Sequence, residues 1–417
     1  MRQHPTARKQ QTDFRKLWAG QTVSLLGSAI TPLALTLLAV GLLDASPAEV
    51  ALLQALQYAP AVVIGLFAGA VVDRLRRKPL LIAVDLASAG ALLLVPLAAA
   101  LGWLRLEVLY LVAFLLGCLG VVFGVAYTAY VPTLIRREDL VAGNSRLEGS
   151  RAVARIAGPG LGGVLVQLLG APVAVAFDAC SYLLSALAVR AIRTPEPPPQ
   201  GSAARHIWRE IAAGLRALGG NPALRALLLS SATLDIGWNA LFAVYVLYAT
   251  RYLNLPAGTI GLIFGLGSAG AFLGAVLARP LASRAGIGRT LIGAQVIIGG
   301  GGLLIALAVG VPRAALPLLL SVEIVQSGAN TVFGITRASL TQALVPDALR
   351  GRVNASERVI GLAVAVLGTT LGGVLGERIG IPLTLIIGTS SGVPAFLWLL
   401  IAPIRTVRRL PDTPGSP

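Results

Sequence analysis

Leu161-Gly162-Gly163-Val164-Leu165 returns 210 residues later as Leu371-Gly372-Gly373-Val374-Leu375. The same offset carries Val122, Phe123 and Gly124 onto Val332, Phe333 and Gly334, Asn144 onto Asn354, and Gly158 onto Gly368. Asp73 and Arg74 fall on Ser283 and Arg284. Matches this widely spread at one spacing are hard to obtain by chance, even in a chain with 48 glycines. The two flanks of the chain therefore read as parallel copies of one unit.

Both copies are apolar. Of the 417 residues 56% are hydrophobic and 12% charged, and the mean hydropathy is +0.80. Soluble domains carry about 25% charged residues, so a soluble domain, single or in tandem, is excluded. The net charge of +16 would point to nucleic acid in a soluble chain. This chain has too little polar surface to gather its basic residues on one solvated face, which removes nucleic acid as a partner.

A helix crosses the hydrocarbon core with about 20 predominantly apolar residues. That template fits twelve segments, 18 to 43, 48 to 72, 79 to 101, 107 to 131, 143 to 169, 171 to 193, 226 to 250, 257 to 281, 288 to 310, 314 to 340, 353 to 376 and 381 to 404. The first is too long for a signal-peptide core and counts as a span. The polar interruption holds Pro195, Pro197, Pro198, Pro199 and Gly201 and reads as a linker. The expected organisation is an N-terminal six-helix half over 1–193, a cytoplasmic linker over 194–222 and a C-terminal six-helix half over 223–417. In the linker, Ile207, Ile211, Leu215 and Leu218 recur at helical spacing against Arg205, Arg209 and Arg216. We expect there an amphipathic helix lying on the cytoplasmic surface. The fold class is all-α membrane protein, with twelve transmembrane helices in two pseudo-symmetric halves.

Basic loops are retained in the cytoplasm. Of the 34 Lys and Arg, 25 fall in tails and loops on the side of the two termini, four (Arg105, Arg251, Arg313, Arg378) fall opposite, and Arg146, Arg151, Arg155, Arg337 and Arg358 lie inside spans. Both termini are thus expected in the cytoplasm of a multi-pass cell-membrane protein. Cys118 and Cys180 sit in apolar runs and read as buried thiols rather than a disulfide. His4 and His206 have no Cys or acidic neighbours at ligand spacing, so no metal site and no cofactor is expected.

Two stretches carry motifs. The loop after the second span reads Gly69-Ala70-Val71-Val72-Asp73-Arg74-Leu75-Arg76-Arg77-Lys78. Gly69 permits close helix approach, and Asp73 can pair with a cation or a helix N-terminus. The fifth span holds Gly158-Pro159-Gly160-Leu161-Gly162-Gly163, and its counterpart Gly368-Thr369-Thr370-Leu371-Gly372-Gly373 lacks the proline. These resemble the G-x-x-x-D-R-x-G-R-R loop and the G-P-x-x-G-G exporter signature of the major facilitator superfamily, with Arg76 where the loop pattern has glycine. Phe14, Leu17, Gly20, Gln21 and Gly27, with Ser339, Gln342, Pro346, Asp347, Leu349, Gly351, Arg352, Asn354, Ala355 and Arg358, resemble its drug and metabolite efflux branch, the macrolide-efflux and enterobactin-exporter group. The resemblance covers almost the whole chain. It implies the major facilitator fold, export, a cytoplasmic latch at the 69–78 loop and a central cavity lined by spans one, four, seven and ten. The fourth span lacks the arginine that many drug/proton antiporters carry.

Ionisable groups inside spans are costly and are default functional candidates. Asp235 and Asn239 lie one turn apart in the seventh span beside Trp238, and Glu323, Gln326, Asn330 and Arg337 form one polar face of the tenth. Gln21, Ser24, Ser28 and Thr31 share a face of the first span, and the fourth offers Tyr127 and Tyr130. Asp235, Glu323 and Arg337 are the candidates for proton coupling and substrate binding. Gln21, Ser24, Tyr127, Trp238, Asn239, Gln326 and Asn330 are expected to line the cavity. Gly69, Asp73, Arg74, Arg77, Arg284, Arg352, Glu148 and Arg358 are assigned to a cytoplasmic gate, with Glu148, Arg151 and Arg155 forming an ion-pair face. Asp85 and Asp178 are weaker candidates.

No G-x-x-x-x-G-K-[ST] run is present, so an ion or substrate gradient must supply the energy. A carboxylate taken out of water favours its protonated form, which suits proton coupling. The expected function is proton-coupled export of amphipathic small molecules by alternating access, by a monomer in the lipid bilayer and without enzymatic activity. An importer or passive facilitator of the same fold is the alternative, and a non-transporting membrane receptor or scaffold is a further one.

Overall fold

The computed structural model describes residues 5–135, 139–196, 207–308, 311, 314–401 and 403–407. His4, His206, Arg136, Arg137, Arg205, Arg313 and Pro197 to Pro199 lie outside them, as do the side chains of Ile207, Arg209 and Ile211. Every regular element among the described residues is a helix. Six precede the linker, α1 (Pro5–Gly41), α2 (Pro47–Val72), α3 (Arg77–Ala100), α4 (Leu106–Leu134), α5 (Leu140–Leu169) and α6 (Ala171–Arg190). The linker holds α7 (Ile207–Gly220). After it come α8 (Pro222–Leu247), α9 (Ala257–Ala285), α10 (Ile287–Leu307), α11 (Ala315–Leu344), α12 (Asp347–Arg378), α13 (Ile381–Ser390) and α14 (Gly392–Ile401).

Eleven stretches among the described residues are long and apolar enough to cross a membrane. The 21-residue α10 stands where the ninth span was expected. The twelfth segment is two helices rather than one, broken at Ser391. Pro394 has no N–H, so the carbonyl of Ser390 loses its helical donor.

The chain folds as two units. The first comprises Met1–Ala45, Leu56–Arg205 and Pro256–Leu262; the second comprises Ser46–Ala55, His206–Leu255 and Ile263–Pro417. Each unit thus includes the opening turns of a helix whose remainder belongs to the other. Helices in hydrocarbon gain nothing from burying apolar surface and associate through close packing, which favours small residues. In the first unit Gly158 and Gly162 of α5 meet Ala29 and Ile30 of α1, and Gly163 meets Gly261 of α9. In the second, Gly368 and Gly372 of α12 meet Asn239 and Ala240 of α8, and Gly373 meets Ala51 of α2. Each of these contacts maps onto its counterpart by the 210-residue offset, so the repeat read in the sequence is also a repeat of contacts.

The 32 residues of α12 span roughly 48 Å, well beyond a hydrocarbon core of about 30 Å. Its overhanging first turns are where α7 docks. Gly214 lies against Ser356 and the Arg352 carbonyl, and Leu218 is 1% exposed in an apolar core with Leu224, Leu227, Leu340, Leu344 and Val353. The amphipathic helix expected in the linker is seated on protein, with Leu215 left exposed and Gly214 and Leu218 turned inward. At the other end of the linker, Asp13 accepts hydrogen bonds from the N–H groups of Arg193 and Thr194 and from the Thr194 hydroxyl. Lys16 donates to the Ala191 carbonyl.

The thiols need a correction. Both are free, but Cys180 is exposed and Cys118 half-buried. An apolar setting implies burial only when the surrounding solvent is water.

The docking of α7 can be tested within one helix. Gly214→Ala is expected to lower stability by about 1–3 kcal/mol, because its Cβ would collide with α12. Gly219→Ala, with nothing within 4 Å, is expected to stay within about 0.5 kcal/mol. Thermal unfolding in detergent, followed by circular dichroism, reads both.

Candidate functional site

The candidate residues of the second unit cluster around Arg337. From α11 its guanidinium Nη1 donates to Glu357 Oε1 of α12 at 3.3 Å and to Ser231 Oγ of α8 at 3.2 Å. Asp235 stands one helical turn beyond Ser231, exposed and within the electrostatic reach of Arg337. Asn239 donates to the Asp235 carbonyl at 2.7 Å. Glu357 is thus the carboxylate in contact with the guanidinium, and Asp235 acts on it only through its charge.

Glu323 lies elsewhere on α11. It is 7% exposed, accepts from Ser327 Oγ at 3.3 Å and packs where Gly267 of α9 leaves room. Beside it runs an aromatic wall. Trp238 and Phe242 have ring centroids 5.8 Å apart, and Phe264 lies 5.3 Å from both Phe242 and Tyr245. The electrostatic reach of Glu323 extends to Tyr245.

The expected single polar face of α11 is thus divided. Gln326 is 2% exposed and donates to the Ile298 carbonyl of α10 at 2.8 Å, so it ties two helices instead of lining a cavity. Asn330 is exposed. The face of α1 divides likewise in the first unit. Ser28 donates to the Tyr182 hydroxyl at 3.0 Å and Thr31 donates to Asp178, which also accepts from Ser181. Gln21 is half-buried and Ser24 buried. Tyr127 is 4% exposed in an apolar core with Phe14, Leu17 and Leu81, stacked on Phe123 at 5.7 Å; it belongs to packing rather than to a pocket. Asp85 is fully buried, and neither carboxylate oxygen has a hydrogen-bond partner among the described residues.

The residues assigned to a gate separate by unit. In the first, Glu148 pairs with Arg151 one turn away, and Arg155 is exposed. The N–H groups of Arg77 and Lys78 donate to the two carboxylate oxygens of Glu196 at 2.6 and 3.1 Å, and the Arg77 side chain lies 3.7 Å from the same group. Glu196 therefore caps α3, where an anion offsets the positive helix end. The close helix approach expected at Gly69 is not seen, since no described atom lies within 4 Å of its Cβ position. Asp73 and Arg74 form the turn between α2 and α3. In the second unit Arg284, Arg352 and Arg358 are exposed.

Sequence reasoning missed Glu357 as the partner of Arg337, Ser231, Glu196 and most of the aromatic wall. Trp238, Phe242 and Tyr245 follow i, i+4, i+7 and were legible as one face of a helix; Phe264 was not.

If Arg337 and Glu357 act as a pair, a double-mutant cycle with Arg337→Gln and Glu357→Gln gives a coupling energy of about 0.5–3 kcal/mol in detergent unfolding. Additive effects would show that the contact carries no energy.

A sequence profile described as transmembrane secretion effector matches residues 4–413. Macrolide efflux protein A of Streptococcus pyogenes is 26% identical over 246 residues, 58% of this chain and 60% of that protein. The chain thus matches less than two thirds of the length of this relative. Among solved structures, the nucleoside transporter NupG superposes with a TM-score of 0.69 at 16% identity, over 93% of this chain and 98% of that one. A bacterial homologue of the iron transporter ferroportin, in its inward-facing state, also reaches 0.69, at 17% identity over 94% and 98%. Likeness at such identities concerns the fold alone. The profile match over nearly the whole chain places this protein in the transmembrane secretion effector family of the major facilitator superfamily, as a membrane transporter and not an enzyme.

Proposed function

We propose that the protein exports amphipathic organic compounds across the cell membrane in exchange for protons. The observation that carries this reading is the sharing of Arg337 between Glu357 and the neighbourhood of Asp235. While Asp235 is charged, the guanidinium is drawn toward both acids. When a proton or a cationic substrate neutralises Asp235, Arg337 is left to Glu357. Proton and substrate thus compete for one carboxylate, and only one is carried at a time. Glu323 serves as a second acid, and the aromatic wall beside it suits flat apolar or cationic groups.

Export is supported by the Gly158 to Gly163 stretch and by the macrolide efflux relative, so a macrolide is the first compound to try. The distribution of Lys and Arg supports a multi-pass protein with both termini in the cytoplasm.

In everted vesicles energised by respiration, adding substrate to the wild type is expected to release internal protons, read by dequenching of an acridine dye. Asp235→Asn is expected to abolish that response. No substrate-dependent proton movement by the wild type, across a panel of macrolides, dyes and other antibiotics, sinks the coupling. Orientation has its own test in a variant lacking Cys118 and Cys180. A cysteine replacing Trp103 is expected to react with an impermeant maleimide in intact cells, and one replacing Ser283 only after permeabilisation.

A further inference from the structure

A groove of about 400 Å³ lies in the second unit, between α9 and α10 with α11 beneath. Glycine makes its floor. At Gly270 and Gly274, α9 approaches the backbone of Ile324 and Gly328 in α11 so closely that a Cβ at either position would collide. With α9 seated this low, its exposed Leu273, Leu277 and Leu281, spaced one turn apart, form one wall of a trough. The wall from α10 is low at Gly293, where a Cβ would meet nothing within 4 Å.

The groove is polar at one end only. Thr290 and Arg289, in the first turn of α10, are its polar side chains. The Thr290 hydroxyl already donates to the Gly286 carbonyl at 2.8 Å, which leaves the exposed Arg289 as the charged group. Arg284, in the last turn of α9, adds positive charge nearby, and the N-terminal end of α10 adds its dipole.

A long apolar trough closed by one cation is complementary to a molecule with a long apolar tail and one anionic head. We propose that this groove binds an anionic phospholipid, one acyl chain lying along Leu273, Leu277 and Leu281 and the phosphate on Arg289. Other occupants fit less well. A cationic substrate would meet repulsion at Arg289, and inorganic phosphate would leave the trough unused. In the orientation proposed above, the α9–α10 turn faces the cytoplasmic leaflet, whose anionic lipids attract juxtamembrane basic residues.

Native mass spectrometry of the purified full-length protein, titrated with phosphatidylglycerol or phosphatidylcholine, tests this. The wild type is expected to retain one phosphatidylglycerol at lower concentration than phosphatidylcholine. Arg289→Gln is expected to weaken phosphatidylglycerol binding roughly fivefold, the effect of one basic residue at an anionic leaflet, and to leave phosphatidylcholine unchanged. Gly293→Leu, whose Cβ enters open space at the groove wall, is expected to weaken both. Equal binding of the two lipids by the wild type, or phosphatidylglycerol binding unaltered by both substitutions, overturns the proposal. So does a wild-type dimer in light scattering that Gly293→Leu converts to monomer, since a second copy would then occupy the groove.

Discussion

Backbone polar groups in hydrocarbon find no water, so each crossing segment must satisfy them within itself, and the helix does so. Helices built this way gain nothing from hiding apolar surface, and what remains to hold them is close backbone contact. Glycine at the crossing points supplies it. Gly158 on Ala29 and Gly162 on Ile30 fix α5 against α1; Gly368 on Asn239 and Gly372 on Ala240 fix α12 against α8. These crossings set which faces of α1, α5, α8 and α12 turn toward one another, and with them the places of Asp235, Asn239 and Glu357.

The scaffold is doubled, but its chemistry is not. At the repeat offset Arg337 corresponds to Tyr127, Glu323 to Ala113, Glu357 to Leu147 and Asp235 to Leu25. The first unit buries Asp85 and Asp178 instead, and Asp85 corresponds to Gln295, also buried. Packing contacts must recur if two copies of a fold are to close in the same way. An in-span ion pair such as Arg337 with Glu357 serves no packing role that has to recur, and the second unit alone of the two carries it at these positions.

The helix ends on the side of the two termini show a different kind of order. There the helices outrun the hydrocarbon, water is available, and charge-assisted hydrogen bonds join the glycine contacts. Asp13 and Lys16 hold the chain leaving α6, Glu196 caps α3, and α7 sits on the overhang of α12. The basic 69–78 loop, legible as a motif, spends the backbone donors at its end on Glu196, a residue that nothing in the loop pattern announced.

Twelve apolar segments, the repeat, the linker and the sidedness of charge were all legible in the sequence, because length, hydropathy and the order of residues are properties of the chain itself. Asp235, Glu323 and Arg337 also stood out, since charge in an apolar run is conspicuous without any fold. Partnership was not legible. Gln326 and Asn330 look alike as polar residues one turn apart, yet one bonds the Ile298 carbonyl and the other is exposed. Tyr127 reads as a pocket residue and is packed in a core; Cys180 reads as buried and is exposed. In each case periodicity defines a face of a helix, and only the rotation and neighbours of that helix, set by backbone contacts distant in sequence, decide whether the face meets protein or open space.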